Sequence, residues 1–503
     1  MARGDVSAEE VTRAYVARVV AVNPALNAVV VPLFDSALAE ARQVDRARAT
    51  GGILGPLAGV PVTVKECIDI AGTPSTLGLV PRARERRSRD AAVVTRLRAA
   101  GAVIVGKTNA SQLLMFPETD NPVYGRTANP WALDRSCGGS SGGEGAIVAA
   151  GGSALGIGTD IGGSVRIPAS FCGIAALKTT ARWLPLEGTG EVLPWLIAIP
   201  DTVGPLARSV ADLELALRVL ARPAEGERPS LTASPVEPRD GSAVVPARLR
   251  VGFYEEDGYF PVSAALRRAV REARDVLAAE GAELVPFVPP RIAEIMDVAH
   301  ALFAADGGRS LARSLRGSPV DPRNQPYVQL SRVPLRALPP SARVLRIAGQ
   351  ARMAGVLATP IPRTAADHTD LVERAAELRR DYLDALESRR IDALLGHPYP
   401  LPALPHGASA RLSPVQSGTM AFNFLGWPAG VVSVTTVRPE EEASRPESRD
   451  LVERTARACD RGSAGLPVAV QIAARPWRED VVLALLRVIE RAFAPTMPRP
   501  TAV

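Results

Sequence analysis

Serines in two glycine-rich runs are the residues of this chain whose setting points most directly to chemistry. Residues 138–143 read GGSSGG and hold Ser140 and Ser141, and residues 162–164 read GGS and end on Ser164. Glycine lets a backbone approach a ligand closely or adopt a positive φ. Apolar branched residues separate the two runs, whereas a flexible Gly/Ser linker has nothing to bury. The stretch therefore predicts a shaped backbone that presents serine hydroxyls.

A serine hydroxyl is a weak nucleophile at neutral pH and needs a base within hydrogen-bond reach. All four histidines come after residue 299, so the serine runs have no local histidine, although a Ser-His-Asp arrangement across the fold stays open. The chain has only three lysines, Lys65, Lys107 and Lys178. A desolvated lysine can lose its proton, whereas an arginine effectively cannot. Lys65 follows the apolar residues 57–64, a predicted buried strand, and is the candidate base.

The serines and their neighbours also suggest a proton relay and an anion site. With two serines, one can attack while the other carries a proton to the lysine. Residues 160–164 read DIGGS and place successive backbone N–H groups before Ser164. Such a turn is suited to the negative charge that develops on a carbonyl oxygen. Asp160 and Arg166 are expected to pair and hold this turn, the alternative being an ordinary surface ion pair.

Residues 101–108 match the phosphate-loop pattern GxxxxGK[ST] letter for letter. That pattern works only as a loop between a strand and a helix. Here the middle residues are Ala-Val-Ile-Val, which favour a strand, and the preceding residues favour a helix. We therefore do not expect nucleotide hydrolysis.

The composition of the 503 residues is that of an ordinary globular protein, with 47% hydrophobic and 22% charged residues. The net charge is +6, but basic and acidic residues are interleaved, and residues 82–89 favour a solvated loop over a nucleic-acid site. The four cysteines show no CxxC spacing, which favours reduced thiols and a cytoplasmic protein. No signal peptide and no apolar run long enough to span a membrane are apparent.

Helix and strand patterns alternate along the chain, which favours a single α/β domain over residues 1–503. A capping box of Ser7 and Glu10 starts a helix that should end near Asn23-Pro24, and Asp90 should cap a helix closing at Gly101. Surface insertions are expected near 222–247 and 438–464. Further helices are predicted at 33–49, 208–221 (after a turn at 201–205), 263–280, 370–390 and 479–493, and further strands at 102–105, 249–253, 282–287, 393–396, 430–436 and 466–473.

The two serine runs taken together, with residues 162–168 reading GGSVRIP, resemble the amidase signature family. Lys65, in GVPVTVK at 59–65, lies where that family has its catalytic lysine. The resemblance implies amide hydrolysis through an acyl-enzyme, without metal or cofactor, on a large mixed β-sheet flanked by helices on both faces. It assigns the nucleophile to Ser164, the bridging cis-serine to Ser140 and the base to Lys65. It also implies an oxyanion hole at Ile161, Gly162, Gly163 and Ser164, with supporting positions at Ser141, Thr159, Asp160 and Arg166.

Within the family the chain is most similar to the fatty acid amide hydrolase branch, for example in KEC at 65–67 and GGEG at 142–145. That similarity implies a small-molecule amide substrate, no nucleic-acid partner, a homodimer and an acyl pocket at Leu114, Met115 and Phe116. A departure is Thr179, where proline is usual.

The basic segment 330–360 is open to three interpretations: a weakly membrane-bound interfacial helix, a surface helix or a dimer contact. Its arginines, Arg336, Arg343, Arg346 and Arg352, alternate with Leu338, Val344, Leu345 and Ile347. Two alternative functions also stay open: the glutamine-amidase subunit of a tRNA-dependent transamidation complex, and a non-catalytic scaffold.

Overall fold

A mixed sheet of eleven strands forms the centre of the part of the chain that the structure describes. The structure is a computed structural model and describes residues 5–190, 192–193, 195–334 and 337–503. The strand order is β1-β3-β2-β6-β8-β7-β12-β13-β11-β9-β10, with β4 and β5 as a separate pair. The strands are β1 (Val29–Pro32), β2 (Pro61–Lys65), β3 (Val103–Thr108), β4 (Ala128–Asn129), β5 (Ala132–Ser136), β6 (Leu155–Asp160), β7 (Ala175–Lys178), β8 (Thr202–Ala207), β9 (Arg250–Phe253), β10 (Glu283–Pro286), β11 (Ala393–Gly396), β12 (Ala429–Thr436) and β13 (Pro467–Ala474).

Helices flank this sheet, as the family resemblance implies. The helices are α1 (Ala8–Leu26), α2 (Phe34–Ala49), α3 (Ala92–Ala99), α4 (Gly142–Ala149), α5 (Arg166–Cys172), α6 (Val210–Leu220), α7 (Ala264–Ala279), α8 (Ile292–Phe303), α9 (Arg309–Ser314), α10 (Gln325–Leu330), α11 (Leu338–Ile347), α12 (Ala351–Ala358), α13 (Ala365–Glu387), α14 (Ser417–Leu425), α15 (Leu451–Asp460) and α16 (Glu479–Phe493). None of these described helices is long and apolar enough to cross a bilayer.

Adjacent residues of the central strands face opposite hydrophobic clusters. Val432 and Leu177 belong to the larger cluster, which includes apolar residues of α6, α7 and α16. Their neighbours Val431 and Ala176 belong to a second cluster with residues of α1, α4 and α5. Since side chains alternate across a strand, the two clusters lie on opposite faces of the sheet. Strands covered on both faces read as nearly continuous apolar runs, as β13 does.

The pairing around β2 positions the candidate base. β2 runs parallel to both β3 and β6, and Lys65 at its end pairs with Thr108 of β3. The residues of the phosphate-loop pattern therefore lie in a helix end and a buried strand, as expected. Gly106 is needed within β3 because a Cβ there would lie 2.8 Å from Val29 Cγ1.

The Ser7 capping box is confirmed at the start of α1. Ser7 Oγ accepts a hydrogen bond from Glu10 N, and the Glu10 carboxylate accepts one from Ser7 N. The predicted end near Asn23-Pro24 is too early, because α1 continues to Leu26 with Pro24 in its last turn. Asn27 ends the helix in the left-handed region, at φ 51°.

Two other local predictions are wrong because long-range contacts override local preference. Asp90 does not cap α3, whose N-cap is Ala91, since the Asp90 carboxylate accepts instead from Ala71 N and Arg98 Nε. Residues 201–205 do not form a turn before α6. They belong mostly to β8, which pairs antiparallel with both β6 and β7.

Segment 330–360 contains the two adjacent helices α11 and α12, and Leu335 and Arg336 lie outside the described residues. Val344 and Ile347 of α11 are 66% and 81% exposed. The segment 438–464 contains α15, and Arg445 in it donates to Asp460, so it is more ordered than a charged loop. Residues 222–247 contain only short turns of 3-10 helix at Gly241–Ala243 and at its end.

Candidate active site

Lys65 lies at the carboxyl end of β2 with its ammonium group fully buried. Its Nζ lies 2.7 Å from Ser140 Oγ, 3.0 Å from Thr159 Oγ1 and 3.4 Å from the Thr159 carbonyl oxygen. Burial lowers the pKa of Lys65, while the nearby carboxylates act in the opposite direction. A lysine that is desolvated in this way is suited to give up and take back a proton.

Ser140 follows Gly139, and the space around Gly139 admits no side chain. The Gly139–Ser140 peptide bond is cis. A Cβ on Gly139 would lie 2.6 Å from Glu118 N and 2.7 Å from the Phe116 carbonyl oxygen, so this close packing requires glycine. The next residue, Ser141, donates its N–H to the Ser164 carbonyl oxygen at 3.1 Å and its hydroxyl to Thr159 O at 3.3 Å. The two serine runs are therefore in direct contact.

Ser164 lies in the turn between β6 and α5 and is partly exposed. The turn depends on Gly163, which has φ +123°, and a Cβ there would lie 2.4 Å from Thr419 Oγ1. Thr419 also donates its hydroxyl to the Gly162 carbonyl oxygen at 2.8 Å. Ser164 lines one cavity together with Ser140 and Thr159.

Asp160 and Arg166 form a fully buried ion pair, so the surface-pair alternative is wrong. The Asp160 carboxylate accepts from Arg166 Nη2 at 3.0 Å and Nε at 3.1 Å, from Gly163 N at 2.7 Å and from Val165 N at 3.1 Å. Although burial acts to raise the pKa of Asp160, Arg166 holds it well below its usual range. The pair thus fixes the turn that carries Ser164.

The hydrogen bonds of the Ser164 turn use one of the N–H groups of the predicted oxyanion hole. The Gly163 N–H is already donated to Asp160, so it is engaged in this structure. The assignment of Ile161, Gly162 and Ser164 as oxyanion donors stays a prediction.

The cavity in front of Ser164 has mainly apolar walls. Leu114 and Met115 of the predicted acyl pocket line it, whereas Phe116 is not among its lining residues and lies beside Tyr327, with ring centroids 6.0 Å apart. No histidine is among the described lining residues, which disfavours a Ser-His-Asp site. The remaining lining residues are Leu113, Ile161, Val192, Leu193, Leu196, Ile199 and Asp201.

Sequence reasoning missed the wall formed by Val192, Leu193, Leu196 and Ile199, although apolar residues outside helices and strands are a usable signal. Leu193, Leu196 and Ile199 are buried, yet they belong to no helix or strand. Apolar side chains in an irregular segment must be covered by something, and here they cover the cavity.

The three lysines are all buried, but only Lys65 contacts a serine of the two runs. Lys107 donates to the Pro74 carbonyl and to Ser75 Oγ, and Lys178 donates to the carbonyls of Trp427 and Thr179. Burial lowers the pKa of Lys107 to about 8 and that of Lys178 to about 7. The rarity of lysine thus points to buried positions in general, and one of the three lies beside the serines.

Comparison with known proteins agrees with this arrangement. The model of the amidase family matches residues 10–483. The chain belongs to the amidase signature family. It is 36% identical over 498 residues to the fatty-acid amide hydrolase 1 of Sus scrofa, covering 98% of this chain and 84% of the relative.

Solved amidase structures share the fold. A fatty acid amide hydrolase structure superposes with a TM-score of 0.83 at 26% identity, covering 98% of this chain and 83% of the other. A 6-aminohexanoate cyclic dimer hydrolase complexed with substrate superposes with a TM-score of 0.76 at 26% identity, covering 99% and 96%. This amidase is therefore a hydrolase acting on the carbon–nitrogen bonds of amides, close to fatty acid amide hydrolases.

Proposed function

We propose that this amidase hydrolyses carboxylic amides with an apolar acyl group through an acyl-enzyme on Ser164, with Ser140 as the proton bridge and Lys65 as the base. The observation that carries the proposal is the 2.7 Å contact between Lys65 Nζ and Ser140 Oγ, beside a cavity that Ser164 shares. It accounts for an activated serine without a histidine, because a buried lysine supplies the base.

In the first half of the reaction, neutral Lys65 accepts the proton of the Ser140 hydroxyl. Ser140 in turn accepts the proton of Ser164 as the Ser164 oxygen attacks the amide carbonyl carbon. The carbonyl oxygen becomes an anion, and the backbone N–H groups of Ile161, Gly162 and Ser164 stabilise it. This step needs Lys65 to be neutral, which its burial favours.

In the second half, the proton returns from Lys65 through Ser140 to the leaving nitrogen. The carbon–nitrogen bond breaks, the amine departs, and the acyl group stays on Ser164. A water molecule then attacks the ester while the same relay takes its proton, which releases the carboxylic acid and restores Ser164. After the cycle Lys65, Ser140 and Ser164 have the same protons as at the start.

The apolar walls of the cavity support an apolar acyl group as the specific substrate feature. Leu113, Leu114 and Met115 from one segment line the same space as Ser164, and so do Val192, Leu193, Leu196 and Ile199 from another. The cavity encloses only about 30 Å³, so a long acyl chain has to push these side chains apart. Each methylene buried against them contributes about 0.8 kcal/mol.

The experiment is a panel of primary and N-substituted amides of increasing acyl length, with matched esters and with glutamine, measured on the native enzyme and on Ser164→Ala. We expect kcat/KM to rise with acyl length and Ser164→Ala to lose at least about 10⁴-fold in kcat. A fluorophosphonate probe should label the native enzyme at Ser164, which distinguishes an enzyme from a scaffold.

Two results would overturn parts of the proposal. Amide hydrolysis that persists in Ser164→Ala would remove the nucleophile assignment. A preference for glutamine over every apolar amide would favour the glutamine-amidase alternative instead. Ser141→Ala is the control for loss of a serine hydroxyl, because Ser141 lies in the other glycine run, donates its hydroxyl to the Thr159 carbonyl oxygen and does not line the cavity.

The homodimer and the weak membrane-surface association also remain proposals. The face of α11 that carries Val344 and Ile347 suits either, since exposed apolar residues alternate there with Arg343 and Arg346. Sedimentation of the native enzyme and of Val344→Ser/Ile347→Ser, with and without anionic vesicles, separates the two. If the variant loses vesicle binding, α11 contacts the membrane surface. If it loses the dimer, α11 contacts a second copy of the chain. If neither changes, α11 takes part in neither contact.

A further inference from the structure

One buried carboxyl group beside the active site has no part in the mechanism above. Glu144 lies in the first turn of α4, four residues after Ser140, and is fully buried. Its Oε2 lies 2.5 Å from Thr63 Oγ1 and its Oε1 lies 2.7 Å from Thr108 Oγ1. Thr63 is two residues before Lys65 on β2 and so faces the same side of the sheet, and Thr108 pairs with Lys65. Glu144 therefore connects the helix after Ser140 to the strands that hold Lys65.

The hydroxyl groups around Glu144 leave room for the proton of a neutral carboxyl group. Thr63 Oγ1 also lies 3.1 Å from Ser153 Oγ, which lies 2.8 Å from the Leu155 carbonyl oxygen, and Thr108 Oγ1 lies 3.5 Å from the Val64 carbonyl oxygen. Together with the two contacts of Glu144, there are five close oxygen pairs but only three hydroxyl protons. A proton on the carboxyl group allows one more of these pairs to be hydrogen-bonded. Neutral Glu144 then donates to Thr63, Thr63 to Ser153, Ser153 to the Leu155 carbonyl, and Thr108 donates to Glu144 Oε1.

The surroundings of Glu144 agree with a neutral acid. Burial raises the pKa of Glu144 to about 8, although the two threonines and Lys65 act in the opposite direction. β6 closes over the carboxyl group, since a Cβ on Gly156 would lie only 2.2 Å from Glu144 Oε2. The other ionisable groups that act on Lys65 from neighbouring elements are Cys67, Asp160 and Asp201.

We propose that Glu144, as a neutral acid, is a positioning residue that aligns Lys65 with Ser140 without placing a negative charge beside the base. The inference rests on the proposed function, in which Lys65 must release its proton. An ionised Glu144 would accept hydrogen bonds from both threonines, but it would hold the proton on Lys65 more tightly. The neutral form supplies the alignment and leaves the base free to act.

The test compares Glu144→Gln with Glu144→Leu in the pH profile of kcat/KM for an apolar amide. A glutamine amide reproduces the neutral acid, because its N–H₂ donates to Thr63 and its carbonyl oxygen accepts from Thr108. We expect Glu144→Gln to stay within about threefold of the native enzyme, with the acid limb at the same pH. Glu144→Leu should lose at least about tenfold in kcat with KM nearly unchanged, since Glu144 does not line the cavity.

Two outcomes would overturn the inference. If Glu144 is ionised in the native enzyme, Glu144→Gln removes a negative charge near Lys65 and moves the acid limb down by about one pH unit. If Glu144→Leu keeps the native kcat, the residue does not position the relay. Should Glu144→Leu fail to fold, Thr63→Val removes only one partner and should lower kcat without moving the acid limb.

Glu479→Gln is the matched control, because Glu479 is also a buried carboxyl whose pKa burial raises, to about 7. It accepts from Thr180 N and contacts neither serine run, so its substitution should leave the acid limb in place.

A second readout does not depend on amide turnover. The rate of fluorophosphonate labelling at Ser164 should fall in Glu144→Leu and not in Glu144→Gln. The infrared difference between native enzyme and Glu144→Gln at neutral pH should contain the carbonyl band of a neutral carboxylic acid. A carboxylate band in its place overturns the inference. Amide hydrolysis by Ser164→Ala, in contrast, overturns the proposed function and leaves the infrared readout valid.

Discussion

The two turns that present the serines are held by opposite kinds of chemistry. The turn of Ser140 contacts Lys65 by a short hydrogen bond, and the carboxyl group of Glu144 nearby bonds to the hydroxyl groups of Thr63 and Thr108. The turn of Ser164 is built on the buried ion pair of Asp160 and Arg166. Asn423 and Gln471 extend that pair, because their side-chain oxygens accept from Arg166.

The difference fits what each turn does in the proposed mechanism. There a proton moves through Ser140, and any fixed charge nearby changes the energy of that step. The turn of Ser164 has to stay still while an anion forms beside it, and a buried ion pair with matched hydrogen bonds is rigid. A charged network that is fully paired is tolerated in the interior, whereas an unpaired member of it is costly.

The largest expected effect is the loss of the base from the turn of Ser140. Lys65→Met keeps most of the side-chain volume but removes the proton acceptor. We expect kcat to fall by about 10³-fold or more near neutral pH, and the acid limb of the pH profile to disappear. Lys107→Met is the control, since it also removes a buried lysine but one that contacts Pro74 and Ser75. A fall in kcat in Lys107→Met as large as that in Lys65→Met would show that loss of any buried lysine has this effect.

The next effect breaks the turn of Ser164 by leaving a charge unpaired. Asp160→Asn leaves Arg166 buried without its partner and should lower the free energy of unfolding by about 3–5 kcal/mol. Urea denaturation measures the change. Asp160→Asn combined with Arg166→Met removes both charges and should recover part of the loss. A double variant less stable than the single one would show that charge pairing is not the cause.

The two turns should also respond to pH with opposite signs. The pKa of Asp160 is lowered in the folded state, so its stabilisation is present above the unfolded value of about 3.9 and is lost as pH falls. The pKa of Glu144 is raised to about 8, so the folded state holds a proton that the unfolded state has released, and stability falls as pH rises from about 4.3 towards 8.

Urea denaturation across this range checks both signs. From pH 5 to 8, Glu144→Gln should gain stability relative to the native enzyme, by up to about 1.4 kcal/mol per pH unit. Below pH 4 the native enzyme should lose stability faster than the double variant of Asp160 and Arg166. Parallel curves for native enzyme and variant would contradict the assigned protonation state of that residue.

The smallest expected effect comes from removing one uncharged hydrogen bond of the Ser164 turn. Thr419→Val removes the hydroxyl that donates to the Gly162 carbonyl oxygen at 2.8 Å. We expect a loss of about 1 kcal/mol in stability and a severalfold fall in kcat, because the turn keeps its ion pair. A fall in kcat as large as that of Asp160→Asn would mean that the hydroxyl, rather than the ion pair, holds the turn.

Much of the active site was predictable because its signals are local or rare. Two glycine runs and an infrequent lysine pointed to Ser140, Ser164 and Lys65, and the structure brings Lys65 and Ser140 into contact. Ser7 was predictable as a cap because its partner Glu10 lies three residues away. The role of Asp90 was not, because its actual partners are Ala71 and Arg98.

Other features depend on segments that are distant in sequence. Residues 201–205 favour a turn locally, but most of them form a strand because they pair with β6 and β7. That pairing cannot be read from the local sequence. Phe116 follows two cavity residues directly, yet it has φ 74° and packs beside Tyr327 instead. Val192, Leu193, Leu196 and Ile199 line the cavity only because the chain returns there after β7.

The sequence by itself determined which groups are present for chemistry: two serines on glycine backbones, a lysine at the end of a strand and a carboxylate six residues before an arginine. The tertiary structure alone decided their charge states. Burial lowers the pKa of Lys65, the ion pair lowers that of Asp160, and burial raises that of Glu144. The reason is physical, because a charge state depends on desolvation and on partners up to several hundred residues away, such as Gln471 for Arg166.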